Sequence, residues 1–253
     1  MPEPLLPPSG VELMDVHRLR LVEAAAPAMS PEDRLAMDRV WEKAVRANPS
    51  LFDGPVAACA GLDREGPHSL VLFWARTTYR RYALRRVPGA TSWLPSLFVS
   101  VVQPTADGRL LVGRMSPSTA TPGRWQLPGG SVEPPDDREP LDEAALRRHA
   151  ARELVEETGI DTPPDDLTLW LVARGKRGSV GVLFLAPGRP ASLIHERFAA
   201  LVSSETALGR DPELEQIALV RSQAELAGLV GPQVDYLEPV VHRYAEAVLG
   251  HDA

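Results

Sequence analysis

The sequence predicts an α/β fold, with a small N-terminal α+β accessory part at 1–92 and a larger second part at 93–253. Two observations carry this prediction. Short runs of aliphatic and β-branched residues alternate with longer segments whose apolar residues recur every three or four positions, a pattern typical of strands alternating with helices. From Ser96 onward the strand-like runs become more strongly β-branched, so we place the boundary near residue 92.

The N-terminal part is predicted to contain one helix and three strands. Ser30 followed by Pro31 is a favourable helix start, because serine caps the free N–H groups and proline suits the first helical position. Pro49 should end this helix. Strands are predicted at 16–22, 56–62 and 69–75, followed by an arginine-rich segment at 76–86.

The second part is predicted to begin with a hairpin. Residues 97–102 form one strand, Asp107-Gly108 is a tight-turn signal, and 110–112 form the returning strand. A helix is predicted over 141–158, with Gly159 as its C-terminal stop. Further strands are predicted at 167–173, 179–185 and 217–220, and further helices at 193–202 and 235–249.

Composition excludes several classes of protein. The formal net charge is −7 and no long basic block is present, which argues against a nucleic-acid partner. Cys59 is the only cysteine, so neither an intramolecular disulfide nor a cysteine-ligated metal is predicted. Residues 1–10 lack a signal-peptide pattern, and no stretch approaches the ~18 apolar residues of a membrane span. We therefore expect a cytoplasmic protein without a membrane partner.

Three carboxylates on the predicted helix 141–158 suggest a metal site. Glu153, Glu156 and Glu157 project from one face, because spacings of three and four bring helical side chains together. Like charges so placed repel, and a divalent cation is their natural partner. Ligand sets made only of carboxylates suit hard ions, so Mg²⁺ is predicted, with Mn²⁺ as a substitute.

The residues around these carboxylates resemble the signature of Nudix hydrolases, which is Gly, five residues, Glu, seven residues, then Arg-Glu-U-x-Glu-Glu-x-Gly-U, with U aliphatic. Gly130, behind Trp125-Gln126-Leu127-Pro128-Gly129, matches the first glycine. The second half is matched at every defined position by Arg152, Glu153, Leu154, Glu156, Glu157, Gly159 and Ile160. The resemblance covers residues 96–250 and implies an α/β/α sandwich around a mixed sheet.

One departure from the signature concerns the first glutamate. The family has 13 residues between glycine and arginine, whereas Ser131 to Ala151 is 21 residues, an insertion of eight. The position of the first glutamate is taken by Ala144, and Glu143 lies about 100° away around the helix. Glu133 or Asp136 from the inserted stretch remain as substitutes. The altered position puts the support of the metal in doubt more than the reaction itself.

The resemblance also implies roles for single residues. Glu153 and Glu157 are the leading metal ligands, with Glu156 and the Gly130 carbonyl completing the set. Arg152 is expected to pair with a glutamate and fix its orientation. In this family a general base often precedes a late strand, so Glu215 is the first candidate and Glu213 the second. The implied reaction is metal-dependent cleavage of a phosphoanhydride.

The substrate is predicted to be a small nucleotide, with a nucleotide sugar such as UDP-glucose favoured. Trp41 and the strings 48–54 and 77–82 resemble the accessory segment of Nudix UDP-glucose hydrolases. Side chains that could bind a phosphate or stack on a base are Arg80, Arg81, Arg114, Arg174, Lys176, Arg177 and Trp125.

Three alternatives remain open. The string 123–126 also resembles hydrolases of oxidised nucleoside triphosphates, which would use the same metal site. Coenzyme A hydrolysis is less favoured, because the extra motif of that branch is not found before Gly129. The third alternative, from a different functional class, is a ligand sensor that keeps the fold but does not hydrolyse its ligand. The resemblance leaves a homodimer open.

Overall fold

The computed structural model describes residues 10–136 and 139–249. Residues 1–9, which include most of the stretch examined for a signal peptide, lie outside the described residues, as do 137–138 and 250–253. The strands are β1 (Glu12–Asp15), β2 (Arg18–Glu23), β3 (Pro55–Gly66), β4 (Ser69–Thr78), β5 (Leu97–Val102), β6 (Leu110–Met115), β7 (Trp125–Gln126), β8 (Thr168–Arg174), β9 (Val180–Leu185) and β10 (Leu214–Val220). The α-helices are α1 (Pro31–Ala47), α2 (Glu143–Thr158), α3 (Ala191–Ala207), α4 (Gln223–Ala227) and α5 (Leu237–Leu249), with 3-10 helices at Tyr79–Arg86 and Pro164–Asp166.

The central sheet is mixed and has the order β1-β8-β9-β5. Strands β5 and β9 run parallel, whereas β9-β8 and β8-β1 are antiparallel. Along β9, Val182 and Phe184 pack into one hydrophobic cluster while Leu183 packs into the other, as expected when successive side chains point to opposite faces. Helix α2 contributes apolar side chains to the first cluster, and α5 contributes them to the second. The predicted α/β/α sandwich is therefore confirmed.

The predicted hairpin at 97–112 is wrong in its pairing. Gly108 adopts a positive φ of 81° in the turn, and Leu111 N–H donates to Gln103 O at 3.0 Å. Beyond that turn the two strands separate, because β5 enters the central sheet and β6 pairs with β10 and β7 in a second sheet. Strand β10 begins three residues earlier than predicted, at Leu214, which matters for the site described below.

The N-terminal part forms a third sheet of order β2-β4-β3, and α1 begins as predicted. The Ser30 hydroxyl accepts a hydrogen bond from Asp33 N–H at 3.0 Å. This sheet shares its hydrophobic core with the second part, since Leu72 and Trp74 lie in the same cluster as Leu154. Strand β1, which was not predicted, belongs to the central sheet. The boundary at residue 92 stays a prediction.

Helix α2 has a defined start, a defined end and one apolar face. The Asp142 side chain accepts from Ala145 N–H at 2.8 Å, and Gly159 ends the helix with a φ of 72°. Leu146, Ala150 and Leu154 are fully buried against the central sheet. Burying each leucine contributes about 1.5–3 kcal/mol, which fixes the rotation of the helix and thereby the direction of its carboxylates. Among the described residues, no helix is long and apolar enough to cross a membrane.

Candidate active site

Glu157 is the most deeply buried carboxylate of α2. Its side chain is 1% exposed, and its Oε2 accepts a hydrogen bond from Gly129 N–H at 2.8 Å. Within the described part of the chain, its Oε1 has no hydrogen-bond partner. Gly129 lies so close to β5 that an added Cβ would stand 2.1 Å from Val99 O, and its φ is 149°. Only glycine fits there, which explains how a backbone N–H reaches this carboxylate.

The charge of Glu157 is poorly compensated. Burial and the nearby Glu213 carboxylate raise its pKa well above the ordinary range, and Glu153 and Glu156 add to the rise. The Gly129 N–H lowers this pKa, but by less than either burial or Glu213 raises it. An unpaired buried carboxylate is costly. The cluster therefore favours either a bound proton or a bound cation.

Glu153 is held between a histidine and a glycine. His149, one turn earlier on α2 and buried, has its Nε2 at 2.7 Å from Glu153 Oε1. A Cβ added at Gly130 would stand 2.6 Å from Glu153 Oε2. His149 was not among the predicted site residues, although its spacing of four from Glu153 was a usable signal. The pair orients one of the two leading ligand candidates.

Arg152 pairs with a glutamate from the inserted stretch. Its Nη2 lies 3.3 Å from Glu133 Oε2, and both side chains are about half exposed or more. A pair this exposed contributes little to stability. Ala144 is exposed, and Glu143 pairs with Arg147 on the same helix. Glu133 therefore contacts α2 through Arg152. Ala144, which occupies the position of the family's first glutamate, faces solvent.

Glu213 and Glu215 have different surroundings. Glu213 immediately precedes β10, and partial burial together with Glu153 and Glu156 raises its pKa. Part of the Glu213 side chain is exposed to solvent. Glu215 lies inside β10, where the register against β6 shifts, and its Oε1 pairs with Arg114 Nη1 at 3.1 Å. The structure brings the second candidate base, Glu213, to the acidic cluster.

Two of the predicted substrate-binding residues lie near this strand pair. Arg114, on β6, is about one third exposed and its Nε also points to Gly123 O at 3.4 Å. Trp125 is 2% exposed, and its indole N–H donates to Val230 O at 3.1 Å. The indole therefore offers little surface for stacking on a base in this conformation. Both roles stay predictions.

Three of the other predicted substrate-binding residues have contacts away from the acidic cluster. Arg80 lies near the carboxylates of Asp38 and Asp53, at 3.7 and 3.6 Å. Arg81 donates to Ser92 O at 2.9 Å and also to the Pro27 carbonyl. Arg174 lies 4.0 Å from Glu12. The contacts of Arg80 and Arg81 lie within the N-terminal part, whereas that of Arg174 joins β8 to β1. Substrate binding by the three arginines stays a prediction.

The acidic cluster suits an oxygen-preferring divalent cation. Glu157 presents a buried Oε1 without a partner among the described residues, and burial together with neighbouring carboxylates raises the pKa of Glu157 and of Glu213. The Gly130 carbonyl accepts from Val99 N–H at 3.0 Å, which leaves one lone pair for a ligand. Within the described residues, no three acidic, histidine or cysteine side chains already converge at ligand spacing. These side chains would therefore have to move closer together to bind a metal ion.

Residues 96–244 match the NUDIX domain family. The chain belongs to this family. The match includes Gly130, the whole of α2 and Glu213, and it makes the chain a Nudix hydrolase. Nudix hydrolases generally use divalent metal ions, in agreement with the donor set described above. A comparison with curated proteins found no match.

Solved structures give several distant similarities. The MutT protein from Methanosarcina mazei Go1 is 22% identical over 61% of this chain and 96% of its own, with a TM-score of 0.41. A NUDIX hydrolase from Alicyclobacillus acidocaldarius is 17% identical over 63% and 96%, with a TM-score of 0.42. The NUDIX domain of Shewanella oneidensis NrtR, complexed with ADP ribose, is 18% identical over 68% and 99%, with a TM-score of 0.39. Because these values are low, family membership rests on the match over 96–244.

Proposed function

We propose that this Nudix hydrolase cleaves, with Mg²⁺, the pyrophosphate bond of a nucleoside diphosphate linked to another group, a nucleotide sugar such as UDP-glucose. The observation that carries the proposal is the crowding of Glu153, Glu156 and Glu213 around Glu157, which is buried and whose Oε1 has no partner among the described residues. Such crowding is costly in the free protein. It becomes favourable when a cation and a phosphoanhydride enter together, because the cation neutralises both sets of oxygens.

The residues divide the work as follows. Glu153 and Glu157 would hold the cation, with the Gly130 carbonyl and Glu156 as further ligands. When bound, Mg²⁺ would neutralise the phosphate oxygens and orient the pyrophosphate for in-line attack. Glu213 takes a proton from the attacking water, and its raised pKa suits this task. The water oxygen bonds to one phosphorus while the bond to the bridging oxygen breaks, giving a nucleoside monophosphate and a sugar phosphate.

Two observations support the substrate class. The accessory strings 48–54 and 77–82 resemble those of Nudix UDP-glucose hydrolases, and they lie in the part that shares its core with the catalytic part. Arg114 lies on β6. This strand pairs with β10, which begins at Leu214, directly after Glu213. The Arg114 guanidinium can leave Glu215 and bind a substrate phosphate instead, because both side chains are about one third exposed.

The test is a hydrolysis screen with wild type and Glu157→Gln. Nucleotide sugars, dinucleotides and nucleoside triphosphates are incubated with Mg²⁺ or Mn²⁺, and the products are separated. We expect UMP and glucose 1-phosphate from UDP-glucose, and a loss of several orders of magnitude in the folded variant. Absence of UMP at high enzyme concentration would reject this substrate.

Two other outcomes of the screen would favour the alternatives. Pyrophosphate released from a triphosphate would indicate an (oxidised) nucleoside triphosphate pyrophosphatase, to which the string 123–126 also points. Binding of a nucleotide without any turnover by wild type would indicate a ligand sensor with a Nudix fold.

A further inference from the structure

The end of helix α1 is connected to the segment that contains Glu213. Asn48 caps this helix, with its own N–H donating to Ala44 O. Its side-chain Oδ1 accepts from Ser50 N–H at 3.0 Å, and its Nδ2 donates to Thr119 O at 2.8 Å. The two side-chain contacts fix which way the amide points, since a flip would place donor against donor and acceptor against acceptor.

Thr119 belongs to a turn that closes on Ser116. Thr119 N–H and Thr119 Oγ1 both donate to Ser116 O, at 3.2 and 2.8 Å. The hydroxyl groups of Ser116 and Ser118 lie 3.0 Å apart. The turn is therefore closed by its own hydrogen bonds, and the Asn48 amide binds it at Thr119.

The same turn holds the backbone of the candidate base. Ser116 N–H donates to Glu213 O at 2.8 Å, immediately beyond the Met115–Leu214 pair of β6 and β10. Three hydrogen-bonded steps thus lead from the end of α1 to Glu213. Glu213 directly precedes β10, a strand at the edge of its sheet, and this bond restrains the Glu213 backbone.

We propose that Asn48 is a positioning residue for Glu213, and that the N-terminal part acts as a brace for the base-bearing segment. The expected effect on catalysis rests on the proposed function, whereas the structural brace, the hydrogen bonds that link Asn48 to Glu213, does not depend on it. Catalysis by a base requires its carboxylate within hydrogen-bond reach of the attacking water. A loosened segment would lower the rate without removing any group that binds metal or substrate.

The test compares Asn48→Asp and Asn48→Ala with the control Ser50→Ala. Aspartate keeps the acceptor for Ser50 N–H and the cap of the helix, but it cannot donate to Thr119 O. Ser50→Ala keeps the Ser50 backbone N–H, which is the only Ser50 group in the Asn48 contact. Melting temperatures of all three proteins confirm that they are folded.

Hydrogen exchange in the absence of metal and substrate is measured first. We expect the Ser116 and Thr119 amides to exchange about fivefold faster in both Asn48 variants, the effect of losing one hydrogen bond. We expect no change in Ser50→Ala. Unchanged exchange in Asn48→Asp would overturn the brace, whether or not the protein is an active hydrolase.

Steady-state kinetics with the best nucleotide from the screen is measured second. We expect kcat to fall roughly tenfold in both Asn48 variants, since small misplacements of a reacting group are costly, while KM stays within about twofold. Faster exchange with an unchanged kcat would overturn the positioning role. If wild type turns over no nucleotide, the proposed function fails, and the exchange result alone then decides whether the brace exists.

Discussion

The acidic face of α2 and the arginine-rich 3-10 helix Tyr79–Arg86 are two charged regions that differ in how well contacts within the protein compensate their charge. On α2, burial and the nearby carboxylates of Glu213, Glu153 and Glu156 raise the pKa of Glu157, and its Oε1 has no partner among the described residues. In the 3-10 helix, Arg81 donates to two backbone carbonyls. Arg85 donates to Leu94 O at 3.3 Å and lies over the rings of Tyr82 and Trp93.

The difference separates charge that stabilises the fold from charge that is arranged for a ligand. The arginines have lost part of their hydration, since burial lowers the pKa of Arg85 and Arg81, and they have gained carbonyl acceptors and aromatic faces in return. Glu157 has lost its hydration, and among the described residues it has gained only the hydrogen bond from Gly129 N–H. Charge left uncompensated inside a fold is a marker of function, so changes to the two regions should affect different properties of the protein.

The largest expected effect concerns the two candidate bases. Glu213→Gln should lower kcat about 10³-fold, within the usual range for a general base, because Glu213 faces the acidic cluster. Glu215→Gln should lower it by no more than about threefold, because that carboxylate pairs with Arg114. Steady-state rates of the two variants, measured side by side, decide between them. Equal losses would remove the distinction drawn from the structure.

A second prediction concerns the space beside Glu153. Gly130→Ala should place a methyl group where Glu153 Oε2 now stands and lower kcat about 10²-fold through the displaced carboxylate. The fold should survive, since the end of a flexible side chain can move. Gly66→Ala is the matched control, because its nearest neighbour would be 4.0 Å away. If the Gly130→Ala enzyme has the same rate as the control, the position of the Glu153 carboxylate beside Gly130 is not needed for catalysis.

A third prediction follows from the raised pKa of Glu157 and Glu213. The folded protein holds these protons more tightly than the unfolded chain, so the resulting stability is full below the ordinary carboxyl pKa. It is lost as pH rises through the folded values. Metal-free protein should therefore melt several degrees lower at pH 8 than at pH 5.

Melting curves in EDTA measure this dependence, and Glu157→Gln should flatten it. A melting temperature of wild type that rises from pH 5 to pH 8 in EDTA, with Glu157→Gln rising equally, would contradict the assigned cause.

The smallest expected effect on rate belongs to the arginine-rich helix. Arg81→Ala should cost about 1.5–3 kcal/mol of unfolding free energy, because hydrogen bonds from a charged donor are lost, and KM should change by less than about twofold. Denaturant unfolding and KM are measured on the same preparation. A raised KM with unchanged stability would support the sequence-based prediction that Arg81 binds substrate.

The local signals of α2 made it predictable from sequence, together with its carboxylates. Its C-terminal stop lies at Gly159, where a positive φ favours glycine, and the ligand candidates keep fixed spacings within one helix. Strand β1 was missed because its partner β8 is more than 150 residues away, a pairing that no local pattern encodes. The hairpin was misread for the same reason, since the turn at Gly108 is real but the strands enter different sheets.

The ranking of the bases could not be obtained from sequence either. It depends on where β10 begins and on the register shift between Leu214 and Gln216, which place Glu213 and Glu215 beside different neighbours. His149 was available from its spacing to Glu153, but only the buried contact shows that the two side chains meet.

A metal titration shows whether Glu157 binds a divalent cation. Mn²⁺ is titrated into wild type, Glu157→Gln and the control Glu196→Gln, an exposed glutamate on α3, and free Mn²⁺ is measured by electron paramagnetic resonance. We expect wild type and the control to bind alike, and Glu157→Gln to bind at least about 100-fold more weakly, since even indirect supports of a metal contribute 10–100-fold. Equal affinity of all three proteins would contradict the assignment of the acidic face as a metal site.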